Sequence, residues 1–303
     1  MPEMDNQRPR RTIEDDGFRR NPKAAFVELG VTTCFSFLRG ASDAVDLATT
    51  ANRLGYDKLG CADLNTMAGV VRLHAEASKA QIVPVIGCRL QLVSGEEFLA
   101  YPCDRAAYGR LCTLLSKGKM QNLDGAWQDK GTCHITLDDL ARYSDGVQLI
   151  VVPRVDVDSF ASGLHRLKNA LPTLKQIAAC YLYRGDARAR INRLDNLAKT
   201  HGMSILATND VHYHAPERRP LQDVMTCILH KTTIQKAGFL LDANAERHLK
   251  SPTQMAQLFA EWPHAIKATR DIADACQFTL TELAYEYPKE TVPEGRTPQG
   301  YLE

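Results

Sequence analysis

From Phe26 onward, short β-branched or apolar runs alternate with stretches whose apolar residues recur at helical spacing. This rhythm restricts the fold more than any other feature, because successive strand–helix units lay their helices over a mainly parallel sheet. The first strand is expected at Phe26 to Val31, after which Ser42 can cap a helix carrying Val45, Leu47, Ala48, Ala51 and Leu54, with Gly55 as its stop. Lys58 to Ala62 reads as a strand, Met67 to Ala77 as a helix, and Ile82 to Val93 as an extended segment interrupted by Gly87. Next come a helix near Ala106 to Ser116, a loop over Lys117 to Thr136, a short helix over Leu137 to Tyr143 and a strand over Val147 to Val152. A helix over Ser159 to Ala170, a strand over Ile177 to Tyr183, a helix over Asp186 to His201 and a last strand over Ser204 to Thr208 complete the series.

About seven such units suit a compact α/β fold, a distorted βα barrel, better than an open dinucleotide-binding sheet, since no GxGxxG turn follows any strand. Beyond His214 the strand pattern stops, and Arg218 to His230, Pro252 to Ala260 and His264 to Gln277 read as helices. Pro288, Pro293 and Pro298, with Gly295 and Gly300, predict an extended stretch. The expected organisation is a disordered tail over residues 1–23, the barrel over 24–215, a helical connector over 216–287 and an extended tail over 288–303.

With 303 residues, 44% of them hydrophobic, the chain can bury a large core. Its apolar runs are far shorter than the roughly 20 residues of a membrane helix, so no membrane partner is expected. The first residues lack the apolar centre of a secretion signal, and Arg8, Arg10, Arg11, Arg19 and Arg20 read as a solvated charged end. Nine cysteines, an odd number without a CxxC pair, fit small buried hydrophobes in a reducing compartment, which points to the cytoplasm. A net charge of +1 neither favours nor disfavours nucleic acid.

On a βα barrel, reactive groups gather where strands end. Asp63 follows the strand at Lys58 to Ala62, and Asp210 and His212 follow the last one. Two residues apart on an extended segment, Asp210 and His212 would face one side and could share a divalent metal. Two ligands do not make a site, because zinc or manganese takes at least three or four donors. His134, His165, His230, His248 and His264 read as superficial, and the pairs Asp138–Asp139 and Glu96–Glu97 as solvated. There is no Ser-His-Asp order, GxSxG elbow or P-loop, so no catalytic residue is assigned.

Glu28-Leu29 and Phe35-Ser36-Phe37-Leu38-Arg39-Gly40-Ala41-Ser42 resemble the opening of the PHP (polymerase and histidinol phosphatase) domain in bacterial error-prone DNA polymerases of the polymerase III alpha type. Leu54-Gly55-Tyr56, Ala62-Asp63, Met67 to Arg72, Ile86-Gly87 and Tyr108 to Ser116 follow in the family's order. Ala207-Thr208-Asn209-Asp210-Val211-His212 with Pro216 to Val224 is the most specific stretch, and Ala243 to Leu249 and Tyr285 to Pro288 extend it.

The resemblance implies a PHP-type barrel ahead of a palm whose aspartates bind magnesium. Nothing after Tyr287 is long enough for that palm, so the chain is expected to be cut off before it and not to polymerise DNA itself. The His-x-His pair of metal-binding members falls on Gly30 and Thr32. Their Asp-His pair falls on Asp63 and Leu64, and an acidic ligand falls on Arg89. Asp63, Asp210 and His212 alone remain of the ligand set, so a degenerate metal site with no cofactor is expected, with a salt bridge from Arg89 in the metal's place. By the same resemblance the parent enzyme handles primer-template DNA past damage, with the sliding clamp and damage-tolerance proteins as partners. The alternatives are a free-standing phosphoesterase or exonuclease using zinc or manganese on Asp63, Asp210 and His212, and a non-enzymatic remnant competing for a partner.

Overall fold

The computed structural model describes residues 11–14, 17–120, 128–129, 131–283 and 297–302. β1 (Lys58–Gly60) and β2 (Asp63–Leu64) run parallel to β3 (Val83–Val85) and β4 (Cys88–Gln91), with Leu64 opposite Arg89. β5 (Glu97–Pro102) turns back antiparallel to β4 and pairs antiparallel with β6 (Val147–Val152). β7 (Gln176–Ala179) and β8 (Ser204–Ala207) then continue in parallel. The segment expected as the first strand closes the ring. Gly60 and Ala62 donate their amides to the Glu28 and Val31 carbonyls on one side, at 2.8 and 2.7 Å, and Thr32 donates to the Val211 carbonyl on the other, at 2.8 Å. It carries no regular ladder, because two of its amides are taken by side chains: Val27 donates to Thr269 Oγ1 at 3.0 Å and Gly30 to Glu28 Oε1 at 2.7 Å.

The distorted α/β barrel expected from the sequence is therefore present, with one departure. β5 joins β4 by a tight turn and runs against its neighbours, so it is not part of a strand–helix unit. Its run Phe98-Leu99-Ala100-Tyr101 is buried on both faces, which erases the alternation that marks a half-exposed strand. Helices α1 (Ala44–Arg53), α2 (Ala68–Lys79), α3 (Arg105–Met120), α4 (Leu137–Tyr143), α5 (Val157–Ala170) and α6 (Ala187–Thr200) follow the periodic stretches. Gly55, at φ +92°, ends α1 as expected, whereas the cap is Asp43, whose carboxylate accepts from the Asp46 amide at 3.0 Å. Ser42 is engaged instead by His214, whose amide donates to Ser42 Oγ at 2.9 Å. α3 extends into the expected loop, and Gly125-Ala126-Trp127 lies outside the described residues.

Inside the ring, Val27, Leu29, Leu99, Tyr101, Ile150 and Val152 form one buried cluster, while Phe98, Ala100, Leu149 and Val151 pack outward against the helices. After α7 (Arg219–Leu229) and α8 (Ile234–Ala237), α9 (Pro252–Leu258) buries Met255 against the outer core. α10 (Pro263–Ala275) then lays Ala268, Ile272 and Ala273 into the interior cluster itself. Small residues let the helix approach closely, and Lys58 Nζ donates to the Ala273 carbonyl at 3.0 Å. The stretch read as a connector over 216–287 thus includes the barrel's floor.

The expected disordered tail is also corrected where it is described. Arg11 pairs with Asp43 and Asp46 at 3.1 and 2.8 Å. Ile13 is buried, and its amide donates to Glu76 at 2.8 Å. Asn21 Nδ2 donates to the Tyr56 carbonyl at 2.9 Å. Residues 1–10, and 284–296 with Tyr285 to Pro288, lie outside the described residues. Within the extended tail expected over 288–303, Pro298–Leu302 is the short helix α11.

Candidate functional site at the barrel mouth

At the end opposite α10, the residues that follow the parallel strands meet the first residue of the reversed strand β5. Arg89 on β4 is 4% exposed, Glu97 on β5 7% and Asp210 after β8 2%, so this polar cluster is out of bulk water. Arg89 Nη1 donates to Glu97 Oε2 at 3.1 Å, and its Nη2 is paired with Asp210 Oδ1. Arg154, two residues past β6, bridges the same carboxylates, with Nε to Glu97 at 2.7 Å and Nη1 to Asp210 Oδ2 at 2.9 Å. Arg247 Nη1 lies 2.9 Å from Asp210 Oδ2 and 3.0 Å from His212 Nε2.

Burial opposes ionisation of Asp210, but Arg154, Arg89 and Arg247 outweigh it and hold the carboxyl well below its ordinary range. For His212, burial and then the neighbouring Arg247 charge push the imidazole well below its usual value, so it is neutral near pH 7. Asp210 and His212 do converge, on Arg247, but not by lying on an extended segment. Asp210 has φ +48°, a left-handed turn of the backbone.

Asp63 stands apart from this cluster. Its Oδ1 accepts from the Thr33 amide and the Ser36 hydroxyl, each at 2.8 Å, and its Oδ2 from the Thr33 hydroxyl at 2.8 Å. Burial raises its pKa despite these donors. Gly30 has no room for a side chain, since a Cβ there would fall on Thr208 Oγ1, with Asp210 Cα and Glu28 Oε1 at 3.2 Å. Thr32 and Leu64 line the cavity beside Arg89.

Three members of the cluster are absent from the sequence-based set: Glu97, Arg154 and Arg247. Glu97 was read as solvated together with Glu96, yet an antiparallel strand brings its N-terminal residue to the mouth. Arg154 sits where a barrel strand gives way to its loop, the placement that signals a functional side chain. Asp139, also read as solvated, completes the α4 cap, accepting from the Thr136 hydroxyl at 2.7 Å. His134, His248 and His264 are half-buried rather than superficial. Among the described residues, no group of three or more His, Cys, Asp or Glu side chains is arranged to hold a metal ion.

A family model for the PHP domain matches residues 28–183, just over half of the chain. The chain belongs to the PHP domain family. This PHP chain is 46% identical over 279 residues to an error-prone DNA polymerase of Caulobacter vibrioides, covering 91% of the chain and 25% of the polymerase. It is likewise 46% identical over 287 residues to an error-prone DNA polymerase of Bradyrhizobium diazoefficiens, covering 92% and 25%. The PHP chain therefore spans about a quarter of the length of the curated relatives it matches. Among solved structures, an amidohydrolase from Chromobacterium violaceum superposes with a TM-score of 0.47 at 12% identity, over 61% of this chain and 87% of its own.

Proposed function

We propose that this chain is the PHP module of an error-prone DNA polymerase of the polymerase III alpha type, acting in replication past damaged DNA as a scaffold and interaction domain without hydrolytic chemistry of its own. The observation that carries the proposal is the Arg89 guanidinium lodged between Asp210 and Glu97 at the barrel mouth. A divalent cation there would meet three fixed positive charges, since arginine keeps its proton at any ordinary pH. The donors present do not fit zinc or manganese. Asp210 is already saturated by guanidiniums, Asp63 by hydroxyls and an amide, and Gly30, Thr32 and Leu64 supply no imidazole or carboxylate. The network keeps the mouth rigid, which suits a surface that must hold one shape for partners.

In this reading primer-template DNA, the sliding clamp and damage-tolerance proteins engage the whole polymerase in the cytoplasm, and magnesium belongs to its palm. Metal content and phosphodiesterase assays of the purified chain with added manganese or zinc test the proposal. No stoichiometric metal and no metal-dependent release of nucleotide are expected. One tightly held ion, lost in Asp210→Ala, would overturn it.

A further inference from the structure

α7 is built inside out. Its polar residues Gln222, Asp223 and Thr226 line the cavity at the barrel mouth, and Gln222 is buried. Leu221, Val224 and Ile228 recur at helical spacing on the outer side and are 41%, 42% and 58% exposed. A surface helix ordinarily turns its apolar stripe to the core and its polar face to water. The apolar surface continues beyond the helix. Leu229, Ile234 on α8, and Phe239 and Leu240 on the single turn Gly238–Leu240 are exposed as well, Phe239 completely. α8 packs on α7 and the turn packs on α8, so these seven side chains belong to one helical corner of the molecule.

Sixteen large apolar side chains are exposed among the described residues, and these seven fall within twenty consecutive positions, which is not the ordinary scatter of surface hydrophobics. They offer roughly 500 Å² of apolar area, at about 100 Å² for a fully exposed aliphatic side chain and about 200 Å² for phenylalanine. With its polar margin the face approaches the ~800 Å² that each partner gives to a standard interface. The charges at its two ends indicate what covers it. Arg218 and Arg219 are engaged by the Ala41 carbonyl at 3.1 Å and by Asp223 at 2.8 Å, so the charge left free before α7 is Glu217. After α7 it is Lys231. Both are exposed, and neither has an opposite charge within ion-pair distance among the described residues. They stand seven residues to either side of Val224. An apolar stripe with one acidic and one basic end is complementary to itself when reversed.

We infer that this face is covered by a second copy of the chain, related to the first by a two-fold axis at Val224. In such a contact the same surface serves both partners, and every pair of residues occurs twice. Two antiparallel α7 helices set Leu221 against the partner's Ile228 and Glu217 against the partner's Lys231. Antiparallel packing also brings opposite ends of the two helix dipoles together. Ile234, Phe239 and Leu240 widen the apolar contact beside the helix pair. The interface uses the outer side of α7 and leaves the Arg89 network untouched. It goes beyond the scaffold reading and does not depend on it. Subunit mass and metal-dependent hydrolysis are separate measurements, and either can fail alone.

Sedimentation equilibrium of the purified chain across the micromolar range tests the inference. A monomer–dimer equilibrium with Kd in that range is expected, as for a small interface. Val224→Glu places two carboxylates together at the axis and should weaken the dimer by about a hundredfold or more. Glu217→Lys and Lys231→Glu, each alone, should weaken it by about five- to tenfold, because symmetry repeats the lost pair and sets like charges in its place. Combining the two reversals should restore the parent's affinity to within about twofold. All three positions are exposed, so every variant should fold normally, which far-ultraviolet circular dichroism checks. A monomer throughout the range would overturn the proposal and leave the face to a different protein segment. A dimer indifferent to Val224→Glu, or a double reversal in which the two losses add instead of cancelling, would also overturn it.

Discussion

Replacing Arg89 with methionine keeps most of the side chain's length and removes its charge, so it isolates the contribution of the guanidinium. The variant loses two buried contacts, to Glu97 and to Asp210, while Arg154 still touches both carboxylates and Arg247 still touches Asp210. Removing one partner of a buried pair costs about 3–5 kcal/mol, because the other charge stays behind uncompensated. Residual cations place Arg89→Met near the lower end, about 3 kcal/mol. At about 2–4 °C per kcal/mol for large domains, the melting temperature should fall by about 6–12 °C. Urea unfolding followed by circular dichroism measures the loss, which should change little with added salt because buried pairs are weakly screened. A double-mutant cycle with Glu97→Gln should return a coupling of about 1–3 kcal/mol. If Arg89→Met instead lies within about 1 kcal/mol of the parent, the value for exposed pairs, and the coupling vanishes, the guanidinium does not organise the mouth.

Two further expectations concern neighbouring residues. Gly30→Ala should destabilise by about 1–3 kcal/mol, the usual cost of overpacking, because Thr208 Oγ1 is held to Glu28 at 2.5 Å and cannot retreat freely; unchanged urea unfolding would contradict this. His212 binds its proton less readily folded than unfolded, so its contribution is full above about pH 6.5 and is lost as the pH falls. The stability of the parent minus that of His212→Asn should accordingly drop between about pH 7.5 and pH 5, and a constant difference across that range would refute the assignment.

Much of the architecture was legible because periodicity survives in the sequence wherever one face meets solvent. α5 and α6, and the strands β6 and β8 before and after them, fall within a few residues of their expected limits. β5 was missed because a doubly buried strand has no alternation to detect, and its reversal hid Glu97 with it. The segment expected as the first strand, Phe26 to Val31, lies in the ring but is not a regular strand, since Glu28 and Thr269 compete for its amides. At the mouth, Asp210 and His212 were found because they follow a strand end, whereas Arg89, inside β4, was found only through the resemblance. Arg247 was not, because it arrives from a loop between helices whose approach to the barrel no local pattern encodes. Asp63 shares its strand-end logic, yet three hydroxyl and amide donors draw it away from the arginines.

The helix that stoppers the barrel has a practical corollary for anyone cutting this polypeptide. The family match stops at residue 183, before β8 and before the three α10 side chains that fill the barrel's lower interior. A fragment trimmed to that match would expose Leu29, Leu99 and Tyr101 to water and should aggregate. The shortest piece with a sealed interior runs at least through Phe278, which stacks on Tyr108 with ring centroids 4.4 Å apart.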